Sequence, residues 1–324
     1  MKQKIPLSCL FLLGTLLVSA QSVSFLEITP AARAASLGGI ATATVPGAGD
    51  AGENIAKFAS RPLPGAFVYT YAPGINKTFP GSQMHAAAAR YPLSATSTLT
   101  TAFKRVSLGE IQVEHVDGVS RMKPVDIAVD LGYARLLARG LSAGVSVRYI
   151  SSDLDEEGVR VARGLAWNVS AYYRRPLALL GGRAAWTVGV VAANIGPGIS
   201  YGTGERNALP ARLNAGAAIQ LPFNEEHDLR CAVEYGCRLA PRKARAPAAM
   251  MAIEHVFYER YALRVGYHRG DTGKGGARFL SAGCGIHLHR LSVDLSYQKT
   301  TGGPKAMDQI PRVSVGVELG RPRE

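Results

Sequence analysis

The sequence lacks the features that identify most enzymes and most helical membrane proteins. Beyond residue 20 it has no apolar run near the roughly 20 residues that a membrane-spanning helix needs. It contains no GxSxG, HExxH or Walker phosphate-binding motif, and the Gly202-Thr203-Gly204 segment lacks the third glycine of a dinucleotide-binding loop. We therefore predict that the protein is not an enzyme, with no catalytic residue and no cofactor.

Cysteine is scarce, with four residues in the chain, and Cys9 lies in the amino-terminal apolar run. The other three are Cys231, Cys237 and Cys284. An odd number without a CxxC motif argues against a disulfide framework or a zinc site. His287 and His289 share one strand face but have no further ligand nearby, and the acidic stretch 153–157 lacks the order of an EF-hand loop. We predict no metal site.

The first 20 residues are typical of a secretory signal peptide. Lys2 and Lys4 precede the apolar run Ile5–Val18, and Ala20 ends a small-residue cleavage site. Cleavage removes these two lysines and no acid, so the formal net charge falls from +13 to +11. A basic exported surface favours anionic partners such as lipopolysaccharide phosphates, whereas nucleic acid is excluded as a partner outside the cytoplasm.

From residue 65 onward, apolar residues recur at every second position, which is the period of a strand with one apolar and one polar face. The clearest run is 141–149, where Leu141, Val145 and Tyr149 alternate with Ser142, Ser146 and Arg148. Fourteen such segments are predicted: 65–71, 83–91, 97–105, 126–136, 141–151, 164–174, 184–195, 210–221, 228–239, 248–257, 261–268, 279–287, 291–299 and 311–319.

The connections between these segments alternate between short turns and longer loops rich in Gly, Pro and charge, as in an outer-membrane barrel. Tyrosine and tryptophan near the strand ends fit aromatic girdles better than the alternative, a soluble β-sandwich. We therefore predict an all-β fold, a 14-stranded transmembrane antiparallel β-barrel over 65–319 with a tail at 320–324, located in the outer membrane.

Residues 21–64 have a different character. The stretch Pro30–Leu37 has short helical character and ends at Gly38 and Gly39, and Asp50–Ala59 favours a second helical turn. Short helical pieces directly before a barrel strand suggest a plug within the lumen. The alternative is a mobile periplasmic tail.

Several blocks carry a resemblance to a known family. The first is Ile28–Gly39, followed by Asn54-Ile55-Ala56-Lys57, where Ile55 stands at a position that is usually proline in the family. The others are Ser107–Ile111, Asp126–Arg135 running on through Leu141–Leu154, and Ala193–Gly196 with Leu209-Pro210. In this order they resemble the PorV family of the type IX secretion system, within the wider group of barrels similar to the fatty-acid channel FadL.

The resemblance implies a fourteen-stranded barrel that acts as an adaptor or shuttle. Family members receive cargo with C-terminal signal domains from a SprA-like translocon. They deliver it to an attachment complex that contains a PorU-like sortase, which joins the cargo to lipopolysaccharide. The resemblance therefore implies the translocon, the sortase complex, the cargo domains and outer-membrane lipid as partners.

Partner-binding residues are expected in the longest outward loops, 106–125 and 152–163, because binding residues concentrate on loops that a rigid scaffold positions. The candidates are Leu108, Glu110, Ile111, His115, Asp153 and Arg160. Two other functions stay open. One is a FadL-like conduit for hydrophobic small molecules, which requires a kinked strand, and the other is an outer-membrane lipid hydrolase, for which no residue constellation is recognisable.

Overall fold

The computed structural model describes residues 23–320, with gaps at 77, 80, 116–117, 180–183, 203, 205, 242–245 and 304–307, and without the side chains of 113–119. The predicted signal peptide and the last four residues of the tail lie outside this range. The described chain begins with an N-terminal segment, residues 23–64. It holds 3₁₀ turns at Ser24–Glu27, Ala48–Gly52 and Ile55–Ala59 and one short helix, α1 (Ala32–Ser36).

Sixteen strands follow, and their bounds track the alternation in the sequence. They are β1 (Gly65–Pro73), β2 (Gln83–Ser94), β3 (Ser97–Ser107), β4 (Ile111–His115), β5 (Gly118–Met122), β6 (Val125–Ala138), β7 (Leu141–Asp153), β8 (Ala162–Pro176), β9 (Ala185–Ile195), β10 (Arg212–Pro222), β11 (His227–Arg238), β12 (Pro247–Phe257), β13 (Tyr261–Gly270), β14 (Arg278–Leu288), β15 (Leu291–Gly302) and β16 (Ile310–Leu319).

Fourteen of these strands form one closed antiparallel barrel, in which β1 pairs with β16 from Gly65 opposite Leu319 to Tyr71 opposite Val313. The predicted fold class is therefore confirmed, and each predicted segment corresponds to one barrel strand. The remaining two strands, β4 and β5, form a separate hairpin between β3 and β6. The sequence predicts a loop over 106–125, and the structure shows that this loop contains a β-hairpin.

The two faces of the barrel wall differ in the way that alternation predicts. Leu131, Val145 and Val265 point outward and are between 43% and 60% exposed, as expected of side chains that contact lipid. Arg148 and Arg264 on the opposite face are at most 4% exposed. An exposed apolar surface around a buried polar interior is the reverse of a soluble protein. No helix in the described ranges has the length and apolar content needed to cross a bilayer.

The N-terminal segment contacts strands on every side of the barrel. Helix α1 packs on β13 to β16, the turn at Ala48–Gly52 on β1 to β3, and the turn at Ile55–Ala59 on β3 and β6 to β8. A segment of this size reaches such widely separated strands only from inside the barrel. It runs from Val23, which packs with Ile199 and Leu209 near the long-loop rim, to Pro64 at the short-turn rim.

The two rims differ in the length of their connections. Turns of two to four residues join β2 to β3, β6 to β7, β10 to β11, β12 to β13 and β14 to β15, and eight residues join β8 to β9 at the same rim. The connections at the other rim all have at least seven residues. In outer-membrane barrels the longer loops face the outside of the cell. We therefore assign the rim that carries 154–161 to the cell surface.

This assignment makes a labelling prediction. In a variant without Cys231, Cys237 and Cys284, a cysteine at Glu157 should react with a membrane-impermeant maleimide on intact cells. A cysteine at Arg260 should react only after lysis, although both positions are exposed. Labelling of Arg260→Cys but not Glu157→Cys on intact cells would mean that the barrel is inserted the other way round.

Candidate functional site

The β4–β5 hairpin is the largest structured element on the long-loop rim. Its base is closed where the Leu108 amide donates to the Pro124 carbonyl oxygen at 3.2 Å. Next to it, Gly109 lies against Gly81 of the β1–β2 loop. An added Cβ at Gly109 would come within 2.8 Å of the Gly81 backbone, and its φ of +77° favours glycine. The hairpin therefore rises from a fixed base although it is separate from the barrel wall.

Glu110 directly precedes β4, the first strand of the hairpin, which begins at Ile111. Ile111 pairs with Met122, and both are partly buried. The exposed Glu110 carboxylate lies 3.4 Å from Lys123 Nζ and 3.7 Å from Arg121 Nη1. Hydrogen bonds from Gln112 and Lys123 lower the pKa of Glu110, so it carries its charge at neutral pH.

Asp153 belongs to the same surface through a chain of contacts. The Lys123 amide donates to Asp155 Oδ2 at 2.7 Å, which ties the hairpin to the β7–β8 loop. The Asp155 amide in turn donates to Asp153 Oδ1 at 2.9 Å. The structure thus connects Leu108, Glu110, Ile111 and Asp153 in one outward cluster, which we call the hairpin cluster.

Arg160 takes part in a different group of contacts. Its amide donates to the Tyr201 carbonyl oxygen at 3.0 Å, and its side chain lies against Gly202. Tyr201 then contacts the wall, since its hydroxyl is 2.8 Å from Ser152 Oγ. Arg160 therefore belongs to the junction of the β7–β8 and β9–β10 loops. The side chain of His115 lies outside the described residues, so its predicted role stays a prediction.

Sequence reasoning missed Arg121, Lys123 and Asp155, which connect the candidate residues. A signal for the hairpin was present, because Asp117-Gly118 between two runs with alternating apolar residues is a common hairpin turn sequence. The link between Lys123 and Asp155 has no such signal, because it depends on how two loops meet.

Below this surface the lumen is occupied by the N-terminal segment, which is held by buried ion pairs. Arg33 donates twice to Glu254 on β12, at 2.9 and 2.8 Å. Arg264 donates to the same carboxylate at 2.7 Å and to Asp294 at 2.7 Å. Glu254 is 3% exposed. Removing one member of such a buried cluster leaves charges without a counterion, which costs about 3–5 kcal/mol.

The Asn54–Lys57 block supplies a second anchor inside the segment. Lys57 Nζ lies 2.6 Å from Asp50 Oδ2 and donates to the Ala41 carbonyl oxygen at 2.7 Å. Burial lowers the pKa of Lys57, and the Asp50 carboxylate opposes that shift. The side-chain amide of Asn54 donates to the carbonyl oxygens of Thr42 and Ala171. This block thus folds the segment onto itself and ties it to β8.

Three of the blocks that carry the family resemblance, 126–135, 141–154 and 193–196, meet at one place on the inner wall. Arg148 donates to Asp130 at 2.8 Å, to Asn194 at 2.7 Å and to the Gly52 carbonyl oxygen at 3.2 Å. Asn194 has a φ of +58° and lies beside the register shift between β8 and β9. These residues lie far apart in sequence, and a shared network links three barrel strands to the N-terminal segment.

Strand β3 is hydrogen-bonded to both of its neighbours, β2 and β6, so the wall has no lateral opening at this strand. β3 pairs with β6 without a register shift from Ser97 to Ser107, and its pairing with β2 is irregular only between Pro92 and Ser94 near the short turn. A space of about 450 Å³, part of it solvent, lies between the segment and this wall. Ala86, Ala88, Ala102 and Lys104 are among the residues that line it.

Within the described residues, no group of three or more His, Cys, Asp or Glu side chains is placed to hold a metal ion. The arrangement consists of a closed wall, a lumen that holds the N-terminal segment, and a polar surface on the outer rim.

Comparison with known proteins agrees with this architecture. Three solved structures share the fold: the CymD monoaromatic hydrocarbon channel, the toluene transporter TodX from Pseudomonas putida, and a FadL homologue from Pseudomonas aeruginosa. Their TM-scores are 0.60, 0.58 and 0.54 at 10%, 11% and 10% identity. The alignments cover 90%, 87% and 90% of this chain and 98%, 95% and 99% of theirs. At this identity the likeness concerns the fold alone.

No curated protein matches the chain. A family model does, and it is described as type IX secretion system protein PorV, with residues 16–245 matched. This match includes the N-terminal segment, the hairpin cluster and the Arg148 network. Together with the closed barrel, it places the protein in the outer membrane, and the chain belongs to the PorV family of the type IX secretion system.

Proposed function

We propose that this barrel is a non-catalytic adaptor that receives exported proteins carrying C-terminal signal domains and passes them to a surface attachment complex. The observation that carries the proposal is the family match, which spans the hairpin cluster on the outer rim. A translocon of the SprA type would supply the cargo, and a sortase complex of the PorU type would take it over.

The geometry supports an adaptor in two ways. First, the N-terminal segment acts as a plug, because ion pairs and hydrogen bonds fix it to the inner wall around the barrel. A plugged lumen directs binding to the outer surface. Second, the hairpin cluster combines the charged Glu110 with the partly buried Ile111 and Met122. Apolar anchors surrounded by polar groups are typical of protein interfaces.

The alternative, a conduit for hydrophobic small molecules, is favoured by two of the structures that share the fold, a monoaromatic hydrocarbon channel and a toluene transporter. The conduit would need a kinked strand, and the wall is closed through all fourteen strands with local register shifts, among them the one between β8 and β9. Because the family match concerns secretion and the structural likeness concerns the fold alone, the adaptor is the better supported function.

Site-specific photocrosslinking tests the proposal. A photoreactive amino acid at Gln112, which is exposed on β4, should form adducts with exported proteins that retain their C-terminal domains. The control position is Lys274 on the β13–β14 loop. Lys274 is also exposed, and a photoreactive amino acid there should give no such adducts. Equal adduct formation at both positions, or none at Gln112 in actively secreting cells, would contradict the proposed role of the hairpin cluster.

A further inference from the structure

Three positive side chains lie together on the outer face of the barrel at the long-loop ends of β13, β14 and β15. They are Arg269, Arg278 and Lys299. Their outward direction follows from alternation. Val265, Leu280 and Tyr297 occupy the same faces of the same strands and are 58%, 50% and 46% exposed. The residues next to Arg269 and Leu280 face inward: His268 contacts Gly38, and Ser281 contacts Ser36, both in the N-terminal segment.

The strand register brings these charges close to one another. Arg269 lies directly opposite Arg278. On the adjacent strand, Lys299 pairs with Leu280, while Arg278 pairs with Gly302 beyond a register shift, so Lys299 lies three residues from the partner of Arg278. Like charges directly opposite on antiparallel strands destabilise the pair unless a counter-charge is present. We call these three residues the basic triad.

No ion pair joins the basic triad to a carboxylate among the described residues; the nearby Asp308 accepts from the Thr300 amide at 2.7 Å. Arg278 donates only to the Gly270 carbonyl oxygen, at the long distance of 3.5 Å. The acids on neighbouring strands, Glu254 and Asp294, face inward and are bonded to Arg264. Asp271 in the adjacent loop accepts from the Gly273 amide and lies 4.0 Å from Lys274. Among the described residues the basic triad therefore has no bound counter-ion.

The depth of the basic triad in the membrane indicates where a counter-ion would lie. Tyr267 and Tyr297 point outward two residues from Arg269 and Lys299, which is about 6.6 Å along a strand. Outward tyrosines mark the boundary between hydrocarbon and headgroups in barrels. Arg269 lies beyond that boundary toward the long-loop rim, at the level of the headgroups in the outer leaflet.

We propose that the basic triad binds the phosphate groups of lipid A in the outer leaflet. Arginine forms paired hydrogen bonds with phosphate oxygens, and lipid A carries two phosphates. Two guanidinium groups and one ammonium group on adjacent strands match such a ligand in charge. The site lies across the wall from the lumen and does not depend on the proposed adaptor function.

The test compares two triple variants of the full-length barrel, extracted from the outer membrane in mild detergent. One variant is Arg269→Gln/Arg278→Gln/Lys299→Gln. The control is Arg135→Gln/Arg175→Gln/Arg290→Gln, which removes the same charge from exposed positions at the short-turn rim. Each basic group near an anionic lipid surface strengthens binding about fivefold, so co-purified lipid A should fall at least tenfold in the first variant alone.

A second measurement applies if the first variant does not assemble. Native mass spectrometry of the wild-type barrel should show bound lipid A, and weaker binding of enzymatically dephosphorylated lipid A. Equal lipid A content in both triple variants would overturn the proposal. So would equal binding of phosphorylated and dephosphorylated lipid A, or equally tight binding of phosphatidylglycerol, which would indicate an unspecific lipid shell.

Discussion

Replacing Glu254 with glutamine is expected to release the N-terminal segment and to destabilise the barrel by about 3–5 kcal/mol, the usual cost of breaking a buried ion pair. The wild-type carboxylate accepts hydrogen bonds from Arg33, Arg230 and Arg264 at distances between 2.7 and 3.1 Å. Glutamine has the same shape but only one acceptor oxygen, and its NH₂ group would face guanidinium N–H groups.

The three arginines are not affected equally. Arg264 keeps Asp294, and Arg230 keeps Asp228 at 2.6 Å. Arg33 keeps only the Val45 carbonyl oxygen and the Asp50 carboxylate at 3.8 Å. Since Arg33 belongs to the N-terminal segment, the segment should detach from β12 before the wall unfolds.

Two measurements check this expectation. Limited trypsin digestion should cut the variant after Arg33 or Lys57 at protease concentrations that leave the wild type intact, and the temperature at which the folded band disappears in gel electrophoresis should fall. The matched control is Asp271→Asn. Asp271 lies 4.0 Å from Lys274 and both side chains are accessible to solvent, and exposed pairs contribute at most about 1 kcal/mol. Equal behaviour of the two variants would contradict the anchoring role of Glu254.

The barrel itself could be predicted from the sequence because each strand carries its own signal. An alternating pattern such as 141–149 specifies which residues face lipid, and the even number of such segments permits closure. The inward direction of Arg148 and Arg264 followed from the same pattern. The predicted bounds differ from the observed ones by at most a few residues at each strand end.

The contacts of the lumen could not be predicted in this way. Arg33 and Glu254 are separated by 221 residues, and nothing local in the sequence pairs them. Which of the inward-facing acids pairs with Arg33 depends on how deeply the N-terminal segment enters the barrel. That depth is set by close packing, as at Gly266, where an added Cβ would come within 2.2 Å of the Gly38 nitrogen. Such packing is a property of the folded barrel as a whole.

The hairpin cluster could be predicted in part. Leu108, Glu110, Ile111 and Asp153 were selected because they lie in long outward loops, and the structure connects them through Lys123 and Asp155. Arg160 was selected by the same criterion but contacts Tyr201 instead. Loop length thus indicates a shared part of the rim, whereas the individual contacts depend on the fold of each loop, and the binding role of these residues stays a prediction.

Removing the hairpin is expected to abolish delivery of exported proteins while the barrel stays intact. β4 and β5 form their own sheet, so replacing Ile111–Met122 with a short Gly/Ser turn removes no hydrogen bond of the barrel wall. The Leu108 amide and the Pro124 carbonyl oxygen already lie 3.2 Å apart, so the turn can close without strain. Heat-modifiable barrel should remain at its usual level in the outer membrane.

The functional effect should be large because the deletion removes the apolar anchors Ile111 and Met122 together with Arg121. Each well-packed anchor of a protein interface contributes about 2 kcal/mol or more, so loss of two should reduce cargo display at least tenfold. Cargo should accumulate in the periplasm with its C-terminal domain uncleaved.

Replacing 272–276 in the β13–β14 loop with a Gly/Ser linker of the same length is the control and should leave display unchanged. Normal display in the hairpin variant, combined with lost uptake of long-chain hydrophobic compounds, would instead favour a conduit, because only a transport path would then depend on this part of the rim.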